Sequence, residues 1–254
     1  MIKSIFYMLP LLLVTFCNQA PKPTVETETA NLKITNEMTS NKLVVAELFT
    51  SQGCSSCPPA EELLGSFSKQ NPNLVLLSFH VDYWDYLGWK DVFGNADYSN
   101  RQKQYGTIFN ISSIYTPQLI INGKSEFVGS NQGKLNTEYS NKAIEISNEN
   151  EIKILNLKKS EETVSCSYSI NNLSKQTKYL NVALVSNEET TKVARGENRG
   201  ETLKSYNVVK YFKVMTPKTS GEIIFEQVSK NIDKIIIYTQ TENLEILDCT
   251  LKTL

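Results

Sequence analysis

Two cysteines separated by two serines, Cys54 and Cys57, are the residues that most directly suggest a chemical function. They follow an apolar run that is typical of a buried strand, and they precede a segment that is predicted as a helix. Free backbone N–H groups at the start of a helix stabilise a thiolate and lower the pKa of a nearby cysteine. This spacing also lets two sulfurs form a disulfide. We predict a redox-active dithiol, with a structural disulfide and a metal site as alternatives.

The prolines Pro58 and Pro59 indicate different roles for the two sulfurs. Adjacent prolines fit a helix only in its first turn, so the helix should begin near Pro58 with Cys57 at its N-terminus. Cys57 should then be covered by that turn, while Cys54 lies one turn earlier. We expect Cys54 to be the more exposed sulfur and the attacking thiol, and Cys57 to be the resolving thiol.

Glu47 is a carboxylate within the otherwise apolar run that precedes the dithiol. A carboxylate is almost never fully buried unless it is paired or functional. Burial would raise its pKa and suit it to transfer a proton to or from the inner cysteine. The alternative is that this part of the strand is an edge and that Glu47 is in solvent.

Both tryptophans of the chain, Trp84 and Trp89, lie in the segment 82–91 that follows a second predicted strand. Ligands of open α/β sheets bind outside the carboxyl ends of the strands. We predict that this aromatic segment forms a wall of the substrate site, with packing for stability as the alternative. His80 ends the same strand and is interpreted as a structural histidine, with a third metal ligand beside the two thiols as the alternative.

The elements that must position these residues alternate between strand and helix. Apolar runs and helical periodicity predict two strands, two helices, a hairpin and a closing helix. Their ranges are 43–50, 58–69, 74–81, 97–109, 118–122 with 126–128, and 135–146. The order β-α-β-α-β-β-α is that of thioredoxin. We predict an α/β thioredoxin-like domain over residues 42–149.

Thr116 and Pro117 stand immediately before the predicted hairpin. A proline at the first residue of a strand removes no hydrogen bond from the sheet. In thioredoxin-like folds the proline at this place is cis and lies against the dithiol. We predict a cis Thr116–Pro117 bond, with Pro117 shaping the substrate site and Thr116 contacting the substrate.

The second half of the chain contains short segments with an alternation of apolar and polar residues. They are seven in number and predict an all-β, sandwich-like domain over residues 150–254. Cys166 and Cys249 each alternate in phase with apolar neighbours, so both should face the core. They are candidates for a structural disulfide, with two buried thiols as the alternative.

The N-terminus contains an apolar run from Ile5 to Phe16 that ends at Cys17. A bilayer span needs roughly 20 apolar residues, so this shorter run fits a secretory signal peptide better. A run that stops at a cysteine resembles a bacterial lipoprotein signal, and we predict that residues 1–17 are such a signal and that Cys17 is lipidated. Cleavage nearby and an uncleaved anchor are the alternatives. The polar segment 18–41 is predicted to be a flexible tether.

The overall charge argues against one class of partner. The chain has 254 residues, with 26 Lys and Arg against 27 Asp and Glu. No net positive field is present to attract nucleic acid. We therefore expect protein partners, with the membrane reached only through a lipid anchor, and we expect no cofactor.

Several long motifs, in one order, resemble those of a known family. They are ELFTSQGCSSCPPAEELL, HVDYWDYLGWKDVF with the RQKQY after it, YTPQLIING with the later EFVGS, and GENRGETLKSYNVV. These resemble the secreted thioredoxin-like family known only as domain of unknown function 1223. The resemblance covers most of residues 43–209. It implies a thioredoxin-like fold and export, and it supplies no substrate.

Together these features predict a thiol-disulfide oxidoreductase of the cell envelope, either lipid-anchored or periplasmic. Its substrates would be protein thiols or disulfides. Two alternatives remain: a copper or zinc carrier that uses the dithiol and His80, and a non-catalytic scaffold in which the dithiol is a fixed disulfide.

Overall fold

The computed structural model of the chain describes Met1 and residues 43–141, 145–146 and 150–254. The predicted signal peptide, the lipidation of Cys17 and the tether at 18–41 lie outside the described residues. Within the described ranges, no helix is long and apolar enough to cross a membrane.

Among the described residues, the first half of the chain forms four strands and three helices. They are β1 (Val44–Thr50), α1 (Pro58–Gln70), β2 (Leu74–His80), α2 (Ala96–Ile108), β3 (Gln118–Ile121), β4 (Ser125–Val128) and α3 (Gln132–Tyr139). A single 3₁₀ turn at Asp85–Leu87 follows β2. These elements match the sequence pattern, except that α3 begins earlier and ends earlier than predicted. Apolar runs are sufficient to predict β1 and β2, because nearly every residue of these two strands is buried.

The second half of the chain is entirely β among its described elements. Its strands are β5 (Glu151–Lys159), β6 (Thr163–Asn171), β7 (Tyr179–Lys192), β8 (Thr202–Met215), β9 (Ser220–Glu226), β10 (Lys234–Gln240) and β11 (Ile246–Thr253). All seven strands predicted by alternation are present. Two of them, β7 and β8, are longer than expected and pair along most of their length.

The predicted fold class, an α/β thioredoxin-like domain followed by a separate sandwich, is wrong. The described chain is mostly β, and its strands form one eight-stranded mixed sheet in the order β11-β10-β7-β8-β2-β1-β3-β4. Strands β5, β6 and β9 form a second, three-stranded sheet. Strand β2 pairs in parallel with β8 at Ser78 and Val208. The pairing covers the β2 edge, which would otherwise expose unpaired backbone groups.

Strands β7 and β10 are buried on both faces, which explains their near-continuous apolar sequences. On one face, Val182 and Ile237 belong to a core shared with the three-stranded sheet. On the other face, Ala183 and Tyr238 join a core that also contains Phe79 of β2. The central core therefore draws on both halves of the chain.

Cys166 and Cys249 do not form the predicted disulfide. Both are free, buried thiols. Cys166 packs in the core beneath the three-stranded sheet, whereas Cys249 packs in the central core. The alternation correctly placed both side chains inside, but it could not distinguish two separate cores. Burial raises the pKa of the Cys166 thiol to about 11 and raises that of the Cys249 thiol well above its usual value. Both sites therefore suit a neutral thiol.

Candidate functional site

Cys54 and Cys57 form a disulfide between the end of β1 and the start of α1, with Cα atoms 5.5 Å apart. Cys57 is the residue that caps α1, and Pro58 and Pro59 occupy its first turn as predicted. Both cysteines are buried, with 0% and 1% of their surface exposed. The expectation that Cys54 would be the more exposed sulfur is therefore wrong. The side chains that reach the surface between them are Ser55 and Ser56.

The Thr116–Pro117 bond is cis, which confirms that prediction. The Thr116 carbonyl oxygen lies 3.8 Å from the Cys54 sulfur and accepts a hydrogen bond from the Ser56 hydroxyl at 3.4 Å. The start of β3 therefore lies directly beside the disulfide. This backbone would also be next to any substrate that reaches Cys54.

The aromatic segment 82–91 lies against the same loop. The Trp84 indole N–H donates to the Thr116 hydroxyl at 2.8 Å, and the Trp89 indole N–H donates to the Gln52 side chain at 3.1 Å. The ring of Trp84 stacks with that of Tyr86, whose side chain is 78% exposed. The structure thus brings both tryptophans to the dithiol loop and leaves the ring of Tyr86, which stacks on Trp84, in solvent.

A segment from the second half of the chain also holds the dithiol loop, and sequence reasoning missed it. The buried Asn198 amide donates to the carbonyl oxygens of Gln52 and Cys54 at 2.9 and 3.0 Å. The Glu197 carboxylate accepts from the Ser55 backbone N–H at 3.0 Å. Segment 194–201 has the composition of an ordinary surface loop, so only its place in a family motif could have pointed to it.

Glu47 is fully buried, and its position is explained by an ion pair. The Arg101 guanidinium donates to both of its carboxylate oxygens, at 2.7 and 2.8 Å, and the Tyr105 hydroxyl donates at 3.0 Å. Arg101 is itself surrounded by aromatic rings from α2, β2, β8 and β10. The alternative of Glu47 in solvent is wrong. Its predicted proton transfer to the dithiol gains no support from these contacts.

A second buried acidic group lies next to Cys57 instead. His80 Nδ1 is 2.8 Å from the Asp91 carboxylate, and His80 Nε2 is 3.7 Å from Glu61 Oε1. All three side chains are almost completely buried. Cys57, Glu61 and His80 line one small cavity at the start of α1. Sequence reasoning did not identify Glu61 or Asp91.

The two carboxyl groups of this cluster have pKa values shifted in opposite directions. Loss of solvent raises the pKa of Glu61 to about 7, although the charge of His80 opposes the shift. Burial alone would also raise the pKa of Asp91, but the His80 charge and hydrogen bonds from His80 and two backbone N–H groups lower it. Burial alone would lower the pKa of His80, and the charges of Asp91 and Glu61 raise it instead. The cluster therefore holds one carboxyl group that can exchange a proton near neutral pH.

The structure gives no support for a metal site that includes His80. Among the described residues, no group of three or more His, Cys, Asp or Glu side chains is arranged to hold a metal ion. Both ring nitrogens of His80 face carboxylates rather than the sulfurs. His80 is therefore part of an acid cluster beside the dithiol.

Comparison with solved structures shows the fold in other proteins. The crystal structure of protein AGR_C_4864 from Agrobacterium tumefaciens is 24% identical, with a TM-score of 0.62 over 82% of this chain and 92% of that one. HBP35 of Porphyromonas gingivalis is 14% identical, with a TM-score of 0.54 over 84% of this chain and 75% of that one. No curated protein sequence matches the chain. These likenesses concern the fold alone.

The sequence also matches a family model described as protein of unknown function (DUF1223) over residues 45–238. The matched region runs from β1 to β10 and includes the dithiol, the aromatic segment and the loop that carries Asn198. This agrees with the resemblance of the motifs. Because the match covers most of its length, the chain belongs to the DUF1223 family of proteins of unknown function.

Proposed function

We propose that this protein is a thiol-disulfide oxidoreductase that acts on protein thiols of the cell envelope. The observation that carries the proposal is the Cys54–Cys57 disulfide at the first turn of α1. A sulfur at a helix N-terminus is stabilised as a thiolate, which makes it a good leaving group in disulfide exchange. A location outside the cytosol fits a disulfide, and lipidation of Cys17 would anchor the protein there.

The exchange reaction converts a substrate dithiol into a disulfide. A substrate thiolate attacks the Cys54 sulfur, the Cys54–Cys57 bond breaks, and its electron pair goes to the Cys57 sulfur. The second substrate thiolate then attacks the substrate sulfur of the mixed disulfide, and Cys54 leaves. The substrate loses two electrons and two protons, and Cys54 and Cys57 gain them. The reverse sequence reduces a substrate disulfide.

The surroundings of the disulfide support protein substrates. The Thr116 carbonyl beside Cys54 is a hydrogen-bond acceptor that an extended peptide could use. The exposed ring of Tyr86 offers apolar surface at the same edge. Because both sulfurs are buried and the Ser56 hydroxyl lies 3.3 Å from the Cys54 sulfur, the substrate must displace Ser56 to reach Cys54.

The test is a redox titration of the purified protein in glutathione buffers, followed by alkylation and mass analysis of Cys54 and Cys57. A catalytic disulfide should have a midpoint between about −270 and −120 mV. A bridge that remains oxidised below about −300 mV would instead be structural, and the protein would be a scaffold.

Trapping in cells identifies the attacked sulfur. Cys57→Ser should accumulate mixed disulfides with envelope proteins, because the resolving thiol is gone. Cys54→Ser should accumulate far fewer. The opposite pattern would assign attack to Cys57, and no adducts with either variant would contradict the proposed activity.

A further inference from the structure

The carboxyl group of Glu61 lies beside the disulfide, in the small cavity that Cys57 also lines. Glu61 is one helical turn after Cys57, and its backbone N–H donates to the Cys57 carbonyl at 3.2 Å. Its side chain is 4% exposed and lines the cavity that Cys57 also lines. One oxygen, Oε2, accepts from the Tyr206 backbone N–H at 3.1 Å.

The other oxygen of Glu61 and the facing nitrogen of His80 are buried without hydrogen-bond partners. They lie 3.7 Å apart. Leaving buried polar atoms unpaired costs about 1–3 kcal/mol each. The Thr50 hydroxyl also interacts with the Glu61 carboxyl group. The Glu61 oxygen that faces His80 can therefore hold the proton that arrives or leaves during the reaction.

We propose that Glu61 donates a proton to the Cys57 sulfur when the disulfide is opened, and takes it back when the disulfide reforms. His80, which Asp91 keeps protonated, stabilises the Glu61 carboxylate in between. This rests on the proposed function. In the opening step the electron pair of the S–S bond goes to the Cys57 sulfur, the Glu61 carboxyl proton follows it, and a Cys57 thiol and a Glu61 carboxylate result. The substrate thiols release two protons to solvent, and Cys54 takes up one of them. Glu61 stays ionised until the disulfide reforms, when it takes its proton back from Cys57 and the cycle closes.

The charges around the cavity suit this role. His80 of β2 faces Glu61 on one side and Asp91 on the other. The neighbouring cations are Lys204, which lines the cavity, and Lys210, whose charge acts on His80. A protonated His80 stabilises the Glu61 carboxylate once the proton has left, and Asp91 keeps His80 protonated. The pKa of Glu61, raised to about 7 by burial, keeps its acid form populated near neutral pH.

The test measures the rate at which dithiothreitol reduces the Cys54–Cys57 disulfide of the folded protein from pH 5.5 to 8.5. Each rate is divided by the concentration of the dithiothreitol thiolate. The corrected rate of the wild type should fall as the pH rises through about 7, where Glu61 loses its proton. Glu61→Gln should abolish this inflection and lower the corrected rate at pH 6 by at least about tenfold.

Two further variants separate proton transfer from a loss of structure. Glu62→Gln changes the exposed neighbour on the same helix and should behave as the wild type. Glu61→Asp keeps an acid and should keep an inflection. An unchanged rate in Glu61→Gln, or a wild-type profile without an inflection, overturns the assignment while disulfide exchange itself stands. A wild-type disulfide that dithiothreitol reduces only after unfolding would overturn both this assignment and the oxidoreductase proposal.

Discussion

Glu61 and Glu62 are adjacent on α1, yet their carboxyl groups have opposite surroundings. Glu61 faces the interior beside His80, whereas Glu62 is exposed and accepts a hydrogen bond from the Tyr206 hydroxyl. In the sequence they are two identical residues in a polar part of an amphipathic helix. Nothing in local periodicity predicts that one of them has a histidine partner on β2.

The raised pKa of Glu61 makes stability depend on pH. Between the ordinary value of 4.5 and about 7, the folded protein keeps a proton that the unfolded chain has lost. The stabilisation is complete below pH 4.5 and is lost as the pH rises to about 7, by about 3 kcal/mol in total. The pKa of His80 is also raised, so its contribution is lost above pH 6.5, in the same direction.

Urea unfolding of wild type and Glu61→Gln at pH 4.5 and pH 8 measures this effect. We expect the variant to gain stability relative to the wild type as the pH rises, because it carries no carboxylate to bury. Glu62→Gln should follow the wild type at both values. An equal difference between Glu61→Gln and the wild type at both pH values would show that Glu61 has no raised pKa.

Some residues of the site could be predicted from the sequence and others could not. Cys54, Cys57 and Pro117 were identifiable because the dithiol spacing and the proline before a strand are local patterns. Trp84 was identifiable because it follows a strand that ends at the same edge of the sheet. The role expected of Glu47 gains no support from its contacts. The sequence does not show which residue pairs with a buried carboxylate, and Arg101 lies 54 residues away.

The contact between α1 and β8 depends on a glycine. A Cβ added at Gly65 would lie 2.4 Å from the ring of Tyr206, far inside van der Waals contact. Since Tyr206 also donates its backbone N–H to Glu61, the same contact supports the acid cluster. The helix must approach this strand closely for Glu61 to reach the cavity.

Gly65→Ala should therefore destabilise the protein by about 1–3 kcal/mol, the cost of overpacking a well-packed core. Gly133→Ala is the matched control, because Gly133 is also helical and a Cβ there would meet only the Asn131 side-chain oxygen, at an ordinary contact distance of 3.6 Å. That control should be neutral or stabilise by up to about 1 kcal/mol. Urea denaturation measures the free energy of unfolding of both variants. Equal changes would show that the Tyr206 ring can move aside without destabilising the protein.

The elements themselves were largely predictable, whereas their arrangement was not. Alternation or an apolar run predicts each strand, and both patterns are local in the sequence. The pairing that joins β2 to β8 connects residues 130 positions apart through Ser78 and Val208. The sequence of β2 does not show whether another strand pairs with its outer edge. The thioredoxin order of the first half therefore suggested a complete domain. The structure places β8, β7, β10 and β11 beyond that edge instead.

At the scale of the whole molecule, the site is assembled from both halves of the chain. Asn198 is 144 residues after Cys54 and still donates to its carbonyl oxygen. Asn198→Ala would leave that carbonyl and the carbonyl of Gln52 buried without their donor. We expect a loss of about 1–3 kcal/mol in the free energy of unfolding.

Arg199→Ala provides the control for this variant, because Arg199 is exposed on the same loop. It should change the free energy of unfolding by less than about 0.5 kcal/mol. Thermal or urea unfolding with the disulfide intact distinguishes the two variants. A neutral Asn198→Ala would mean that water replaces the amide, and that the loop is not needed to hold the dithiol.

The hydrogen bonds from Asn198 to the dithiol loop can form only after the second half of the chain has been synthesised. During synthesis, Cys54 and Cys57 emerge long before β7 and β8. The two thiols therefore first appear without the Asn198 amide that bonds to their loop in the finished molecule. Their early chemistry is that of ordinary cysteines in an unfolded chain. The surroundings of the dithiol are complete only when the second half has docked, and an incomplete chain would lack the Asn198 contacts.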